Sequence, residues 1–292
     1  MPDPNSQRRH TFARHVAPFA PVALALLMNS GSHTAGNTAP TAAVVQPGTS
    51  ESGFAQSCSS PHFPTDTPAA LDGTDCGVSG NGGAETWQNE AKNNFCASDP
   101  AKPITIPEMV QLQTKVQQDH SIPFGNPRQH PLTSTAGPAK DRSALVALGE
   151  GSEVVLQGFV RIARQEGAES VNCGSHIPNV TADHDIHVSV VENSNDPECS
   201  GVVVEMTPHH RPAAWNKATV QAVASAHLLV RVTGQLMFDS SHTPCVNGTS
   251  LPGDPSRSTL WEVHPIYEFE VCAQGNCSSG SGWLPLEAWK QS

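Results

Sequence analysis

The stretch Leu260–Cys272, LWEVHPIYEFEVC, decides the fold because apolar and polar side chains alternate along it. A period of two over that length is typical of a β-strand with one buried face and one outer face. The pattern predicts that five apolar side chains face a core: Trp261, Val263, Tyr267, Phe269 and Val271. The outer face would then carry four polar side chains: Glu262, His264, Glu268 and Glu270.

Four more β segments and one helix precede this strand. The segments are predicted at Glu153–Ala163, Asp185–Val191, Gly201–Met206 and Leu228–Phe238. A helix is predicted within Pro208–Ala226, starting near Pro212, and Gly158 would suit a bend in the first strand. The order β-β-β-α-β-β is the connectivity of the OB-fold, a small closed barrel. The predicted fold class is therefore mainly β, with an OB-like five-stranded barrel and a C-terminal extension in residues 149–292.

The N-terminal residues 1–32 have the pattern of a secretory signal peptide. Basic residues precede an apolar run, Ala17–Met28, which is too short to span a bilayer comfortably. Residues 33–56 are rich in Ala, Thr, Pro, Gly and Ser, so they are predicted to form a disordered tether. We therefore expect export to the periplasm or the cell exterior, with no transmembrane segment in the mature chain.

Residues 57–148 are predicted to form a small cap of loops and short helices. Apolar side chains recur at helical spacing in Glu85–Phe95, from Pro107 to about Gln118, and in Lys140–Leu148. The apolar faces of such short helices need a partner, and the barrel is the obvious one. The fold prediction therefore includes an N-terminal helical cap braced by disulfides.

The chain has eight cysteines, an even count that favours disulfides in a secreted protein. The spacing C-x-x-C, which is typical of zinc sites, does not occur. The disulfide candidates are Cys58, Cys76, Cys96, Cys173, Cys199, Cys245, Cys272 and Cys277. Three of them precede the barrel, so at least one bridge must join cap and barrel if all eight pair internally. The sequence leaves the pairing open.

The net charge of −11 comes from 16 Lys and Arg residues against 27 Asp and Glu residues. Many OB barrels bind single-stranded nucleic acid through a basic groove. A phosphate backbone would be repelled by this chain, because electrostatic attraction supplies most of the non-specific affinity. The charge therefore disfavours nucleic acid as a partner, and a single-stranded nucleic-acid-binding barrel is only the second alternative.

The outer faces of the predicted strands carry the candidate site residues. In an OB barrel the fifth strand lies between the third and the fourth, so His187, Glu205 and Arg231 are candidates for ligand binding on one outer patch. Four residues offer the imidazole and carboxylate groups that bind zinc and similar metals: Asp239, His242, Glu262 and His264. The alternative is a set of cross-strand ion pairs on a solvated or cap-covered face.

Several runs of the chain resemble a group of exported bacterial proteins of unknown function. These runs are QN at 88–89, KNNFC at 92–96, VNC at 171–173, DIH at 185–187, EMTP at 205–208, RVTGQLMFD at 231–239 and WEVHPI at 261–266. The resemblance covers most of the predicted mature chain and implies that cap and barrel belong together. It implies no activity and no catalytic residue.

We expect an exported, non-catalytic binding or structural module. Its ligand would be a glycan, a peptide, a cell-wall fragment or another protein of the cell envelope or exterior. No nucleophile motif such as G-x-S-x-G occurs in the chain, so the sequence identifies no catalytic residue. The first alternative is a metal-assisted hydrolase that uses the His and Glu side chains of the outer face. No cofactor is expected apart from a divalent metal in that alternative.

Overall fold

Seven β-strands dominate the part of the chain that the computed structural model describes. That part comprises residues 86–118, 142–167, 169–172, 184–208, 211–250, 256–273, 277 and 280–290. The strands are β1 (Ser98–Ile104), β2 (Ser152–Gln165), β3 (Ile186–Val191), β4 (Val202–Met206), β5 (Leu229–Phe238), β6 (Trp261–Cys272) and β7 (Trp283–Pro285). The helices are α1 (Thr86–Lys92), α2 (Ile106–Gln118), α3 (Ser143–Ala147) and α4 (Lys217–Ser225), with short 3-10 turns at Ser170–Asn172 and Glu198–Ser200. The predicted mainly β class is confirmed.

Strands β2 to β6 form a closed five-stranded barrel. They pair in the order β2-β3-β4-β6-β5, and β5 pairs with β2 to close it. All these pairs are antiparallel except β4 with β6, which is parallel. Helix α4 connects β4 to β5, so the strand order is consistent with the predicted OB-like topology. Strands β1 and β7 are additional and pair with β2 and β6.

Strand β2 pairs with β5 along its first half and with β3 along its second half, and Gly158 lies next to the point where the partner changes. Glu153–Phe159 pairs with β5, and Phe159–Gln165 pairs with β3. A Cβ atom on Gly158 would lie 2.6 Å from Val190 Cγ1 and 2.7 Å from the Val191 carbonyl oxygen. The absence of a side chain therefore allows β3 to approach β2 at this point.

We expect Gly158→Ala to lower the free energy of unfolding by about 1–3 kcal/mol, because the added methyl overpacks the contact with β3. Urea denaturation followed by tryptophan fluorescence measures this change. Gly167→Ala is the matched control, since a Cβ atom there would have no atom within 4 Å. Equal stability of the two variants would contradict the close approach.

The apolar interior of the barrel matches the predicted inward faces, with one exception on β6. Trp261, Val263, Phe269 and Val271 belong to the main core, as predicted. Tyr267 does not, because the pairing of β5 with β6 shifts register twice near Gly234 and changes which side chains point inward. Tyr267 instead packs outside the main core in a small cluster: Phe95, Ala97 and Tyr267.

Three predicted helices lie close to their expected positions, as α1, α2 and α3, and the helix between β4 and β5 starts later than expected. Helix α2 buries Met109 and Val116 against the barrel core. Helix α4 begins at Lys217 and not near Pro212, because the Asn216 side chain caps it by accepting a hydrogen bond of 2.9 Å from the Thr219 amide. Of the predicted cap, residues 57–85 and 119–141 lie outside the described residues, as do the predicted signal peptide and tether.

Two disulfides are defined at the barrel. Cys199 before β4 is bonded to Cys245 after β5, and Cys272 at the end of β6 is bonded to Cys277. Cys96 is disulfide-bonded as well. The remaining candidates lie outside the described residues: Cys58, Cys76 and Cys173. Among the described helices, none is long and apolar enough to cross a membrane.

Candidate functional site

A set of charged side chains lies together on the outer wall of the barrel, where β3, β4 and β6 run side by side. His187 on β3 is paired with Glu205 on β4. On the other side of β4, Val204 is paired with Val263 on β6, which brings Glu262 and His264 close to Glu205. Residues from the neighbouring loops and from α1 complete the set. We call it the buried cluster, in which every member except the partly exposed Glu169 is buried: Lys92, Glu169, Asp185, His187, Glu205, Asp239, Arg257, Glu262 and His264.

Helix α1 covers this outer face and contributes a cation to it. The Lys92 ammonium lies 3.1 Å from Asp239 Oδ2 and 3.5 Å from Glu169 Oε2. The Gln88 side chain donates a hydrogen bond of 2.9 Å to Asp239 Oδ1. Glu205, Glu262 and His264 are fully buried as a result. The face is therefore covered, which is the arrangement that the ion-pair interpretation predicts.

Amide side chains fix the segment after α1 to the barrel wall. Gln235 donates hydrogen bonds of 2.7 Å to the carbonyl oxygens of Ala91 and His264. The Asn94 side chain in turn donates a hydrogen bond of 2.5 Å to Gln235 Oε1. Because Gln235 is fully buried, these bonds hold α1 and β6 in a defined relation.

Glu205 lies between two imidazoles at the centre of the buried cluster. Its Oε1 is 3.1 Å from His187 Nε2, and its Oε2 is 2.8 Å from His264 Nδ1. The same His264 nitrogen lies 3.2 Å from Glu262 Oε1. Arg257 Nη1 donates a hydrogen bond of 2.8 Å to Glu262 Oε2. The contacts form a continuous chain of charged groups across β3, β4 and β6.

Burial and neighbouring charges change the pKa of each group in this chain. Burial alone would lower the pKa of His264, but Glu205 and Glu262 raise it to about 10. Burial acts against the ionised form of Glu205, yet His187 and His264 hold its pKa well below the usual range. Burial and nearby carboxylates raise the pKa of both Asp185 and Glu262 to about 7. Protons therefore help to balance the charge of the cluster.

The buried cluster holds more carboxylates than permanent cations. Its five carboxylates are Glu169, Asp185, Glu205, Asp239 and Glu262, and its permanent cations are Lys92 and Arg257. Charges that are removed from water need partners of opposite sign. The excess can be balanced by protons on the histidines and carboxyls, or by a metal ion.

Three overlapping groups in this cluster bring possible ligand atoms within 4.8 Å of one another. They are Glu169–Asp185–His187, Asp185–Glu205–His264 and Glu205–Asp239–Glu262. The first two groups offer mixed oxygen and nitrogen donors, which suit zinc and related transition metals. The third offers oxygen alone.

A polar pocket of about 300 Å³ opens beside the buried cluster. Its lining residues come from α1, the first 3-10 turn and the loop after β5, and all of them are polar: Gln88, Asn89, Lys92, Glu169, Ser170, Ser241 and His242. Lys92 and Glu169 belong to both the pocket wall and the cluster. A small molecule in the pocket would therefore lie next to the charged groups.

The structure brings together all but one of the residues that the sequence predicts as ligand-binding or metal-binding candidates. His187, Glu205, Glu262 and His264 lie in the cluster with Asp239, and His242 lies 3.5 Å from Asp239 Oδ2. The prediction that Arg231 lies on the same patch is wrong. Arg231 pairs with Glu270 through bonds of 2.6 and 2.8 Å and lies over the Trp283 ring at 4.7 Å. The reason is register, because Arg231 faces Glu270 at one end of β6, whereas Glu262 faces Met237 at the other.

Four members of the cluster were not nominated as site residues: Lys92, Glu169, Asp185 and Arg257. Asp185 has the same strand parity as His187, so the alternation was a usable signal. The other three come from a helix and two loops, where strand parity carries no information.

Comparisons with protein-family models, with curated proteins and with solved structures gave no match.

Proposed function

We propose that this chain is an exported, non-catalytic binding module of the cell envelope or exterior, built as an OB-like barrel with a disulfide-braced helical cap. Its ligand is a small, uncharged, hydroxyl-rich molecule such as a sugar unit of a glycan. The observation that carries this proposal is the pocket beside α1, whose lining residues are all polar.

The chemistry of the lining supports a hydrophilic ligand. Most small-molecule pockets are lined mainly by apolar and aromatic side chains, with a few polar groups. Here the lining residues include four with amide or hydroxyl groups: Gln88, Asn89, Ser170 and Ser241. Such groups both donate and accept hydrogen bonds, as do the hydroxyl groups of a sugar.

The charges around the pocket support an uncharged ligand. Lys92 and Glu169 are paired at 3.5 Å, so they offset each other. Burial and the nearby Arg257 lower the pKa of His242 to about 4, so its imidazole is neutral near neutral pH. The carboxylate excess beneath the pocket and the net charge of −11 would repel an anionic ligand.

Calorimetric titration with glucose, galactose, mannose and N-acetylglucosamine tests this proposal, with glucuronate as a charged comparison. We expect at least one neutral sugar to bind and glucuronate to bind more weakly. Ser241→Trp should abolish binding because the indole fills the pocket. Ser225→Trp, at an exposed position on α4, is the matched control and should bind normally. Lack of binding by every neutral sugar, or normal binding by Ser241→Trp, would overturn the proposal.

A metal-assisted hydrolase is the second candidate, and one observation favours it. Glu169 belongs both to the pocket wall and to the metal-capable group Glu169–Asp185–His187. A metal there would lie close enough to the pocket to activate water against a bound ester or amide. Zinc- or manganese-dependent hydrolysis of p-nitrophenyl acetate that is lost in Glu169→Gln would support this candidate. Hydrolysis that is unchanged in the variant would eliminate it.

A further inference from the structure

We infer that Asp185, Glu205 and His264 hold one divalent transition-metal ion beneath α1. This site is deeper than the pocket, and the inference does not depend on the proposed ligand. Three independent features support it: an unpartnered carboxylate, the arrangement of the His264 ring and the distribution of fixed cations.

The Asp185 carboxylate is the first feature. Asp185 is 0% exposed, and neither of its carboxylate oxygens has a hydrogen-bond partner among the described residues. Buried carboxylates are nearly always paired with a cation or coordinate a metal, because leaving one without a partner is costly in free energy. The Asp185 carboxylate therefore requires a nearby cation or a bound proton.

The His264 ring is the second feature. Its Nδ1 faces two carboxylates, Glu205 at 2.8 Å and Glu262 at 3.2 Å, whereas its Nε2 is buried without a hydrogen-bond partner. Metal-binding histidines commonly hold one ring nitrogen against a carboxylate while the other ligates the metal. Glu262 is itself held by Arg257, so it can keep the ring oriented when Glu205 turns to the metal.

The distribution of fixed cations is the third feature, and it selects one of the three metal-capable groups. In Glu205–Asp239–Glu262, Lys92 already pairs with Asp239 and Arg257 with Glu262. In Glu169–Asp185–His187, Lys92 also reaches Glu169. Among the described ion pairs, Asp185, Glu205 and His264 have none with a lysine or arginine. This group therefore has no permanent cation, and only protons on the imidazoles balance its carboxylates.

The donor set indicates which metals fit. Calcium and magnesium prefer oxygen ligands alone, whereas zinc, manganese and iron(II) accept imidazole with carboxylates. All three proposed ligands are fully buried, so the ion would be enclosed by protein. An enclosed site of this kind contributes to folding stability.

The experiment compares the full chain with Asp185→Asn, because the asparagine keeps the shape and removes the charge. Zinc and manganese are titrated into protein that has been stripped with chelator, and binding is followed by calorimetry. We expect the natural chain to bind one equivalent of zinc or manganese. Asp185→Asn should bind none, or should bind the metal more weakly by at least the roughly 10–100-fold that is typical when an outer-shell partner is lost. Asp196→Asn, in an exposed loop away from the cluster, is the control and should bind like the natural chain.

Thermal unfolding provides a second readout in case Asp185→Asn changes the fold. In excess chelator, Asp185→Asn should be at least as stable as the natural chain, because it removes an unpartnered buried carboxylate. In excess zinc the order should reverse, because only the natural chain gains stability from the metal. Equal metal binding by the two chains, or an unchanged order of stability in zinc, would overturn the inference.

Discussion

Replacing Lys92 by methionine is expected to lower the free energy of unfolding by about 3–5 kcal/mol, the usual range for breaking a buried ion pair from one side. Methionine keeps most of the length and apolar volume of the side chain but not its charge. Asp239, which is fully buried, would lose the ammonium that lies 3.1 Å from it, and Glu169 would lose its partner at 3.5 Å. Urea denaturation in chelator measures the change.

Two further variants separate the charge effect from a packing effect. Lys115→Met changes an exposed lysine on α2 and should leave stability within about 0.5 kcal/mol of the natural chain. The double variant Lys92→Met with Asp239→Asn removes both partners, so much of the lost stability should return. A loss that is equally large in the double variant would show that Lys92 acts through packing and not through its charge.

The barrel could be predicted from sequence because the patterns that indicate its strands and helix are local. Alternation defines each strand, and a helix between the third and fourth strands selects one connectivity. The same alternation placed Glu205, Glu262 and His264 on one outer face, and the parallel pair of β4 with β6 confirms that they are neighbours. The prediction of a shared outer patch therefore depended only on strand parity and strand order.

The errors occurred where long-range register decides the position of a side chain. Tyr267 follows the inward parity in sequence, but two register shifts between β5 and β6 move it out of the main core. Arg231 has a polar outer position, but it lies six residues along β5 from Met237, the partner of Glu262. That separation is about 20 Å at the rise of a strand. No local pattern contains either fact.

The cation of the cluster could not be predicted for a different reason. Lys92 lies at the end of a short helix that is 147 residues from Asp239 in the chain, and nothing in the helix pattern indicates its partner. A charged residue at the end of a helix is ordinarily solvated. Only the docking of α1 onto the barrel, through contacts such as Gln235 to Ala91, makes it a buried ion-pair partner.

The stability of the metal-free protein is expected to fall as the pH rises from about 5 to about 9, by a few kcal/mol in total. The pKa values of Asp185 and Glu262 are raised to about 7 in the folded chain, and that of His264 to about 10. A group whose pKa is raised on folding binds its proton more tightly in the folded state. Its contribution is therefore complete below its unfolded pKa and is lost as the pH rises through its folded pKa.

The two carboxyls and the histidine act in successive parts of this range. Asp185 and Glu262 lose their contribution between about pH 4 and pH 7, and His264 loses its own between about 6.5 and 10. The lowered pKa values of Glu205 and Asp239 act in the opposite sense but only in acid, because both groups are ionised in either state above about pH 5. His242 also opposes the trend, because its pKa is lowered to about 4 and stability from this group is therefore gained between about pH 4 and pH 6.5. It offsets only one of the two carboxyls, so the net slope between about pH 5 and pH 9 is negative.

Zinc should reverse this slope, because metal ligands must lose their protons before they bind and metal binding stabilises the folded state. In zinc, the protein should gain stability as the pH rises, because the proposed ligands bind the ion in their deprotonated forms. Chemical denaturation at a series of pH values, in chelator and in zinc, measures both slopes. A flat profile in chelator would contradict the raised pKa values of the cluster. A slope that zinc leaves unchanged would contradict the metal site while leaving the protonated cluster intact.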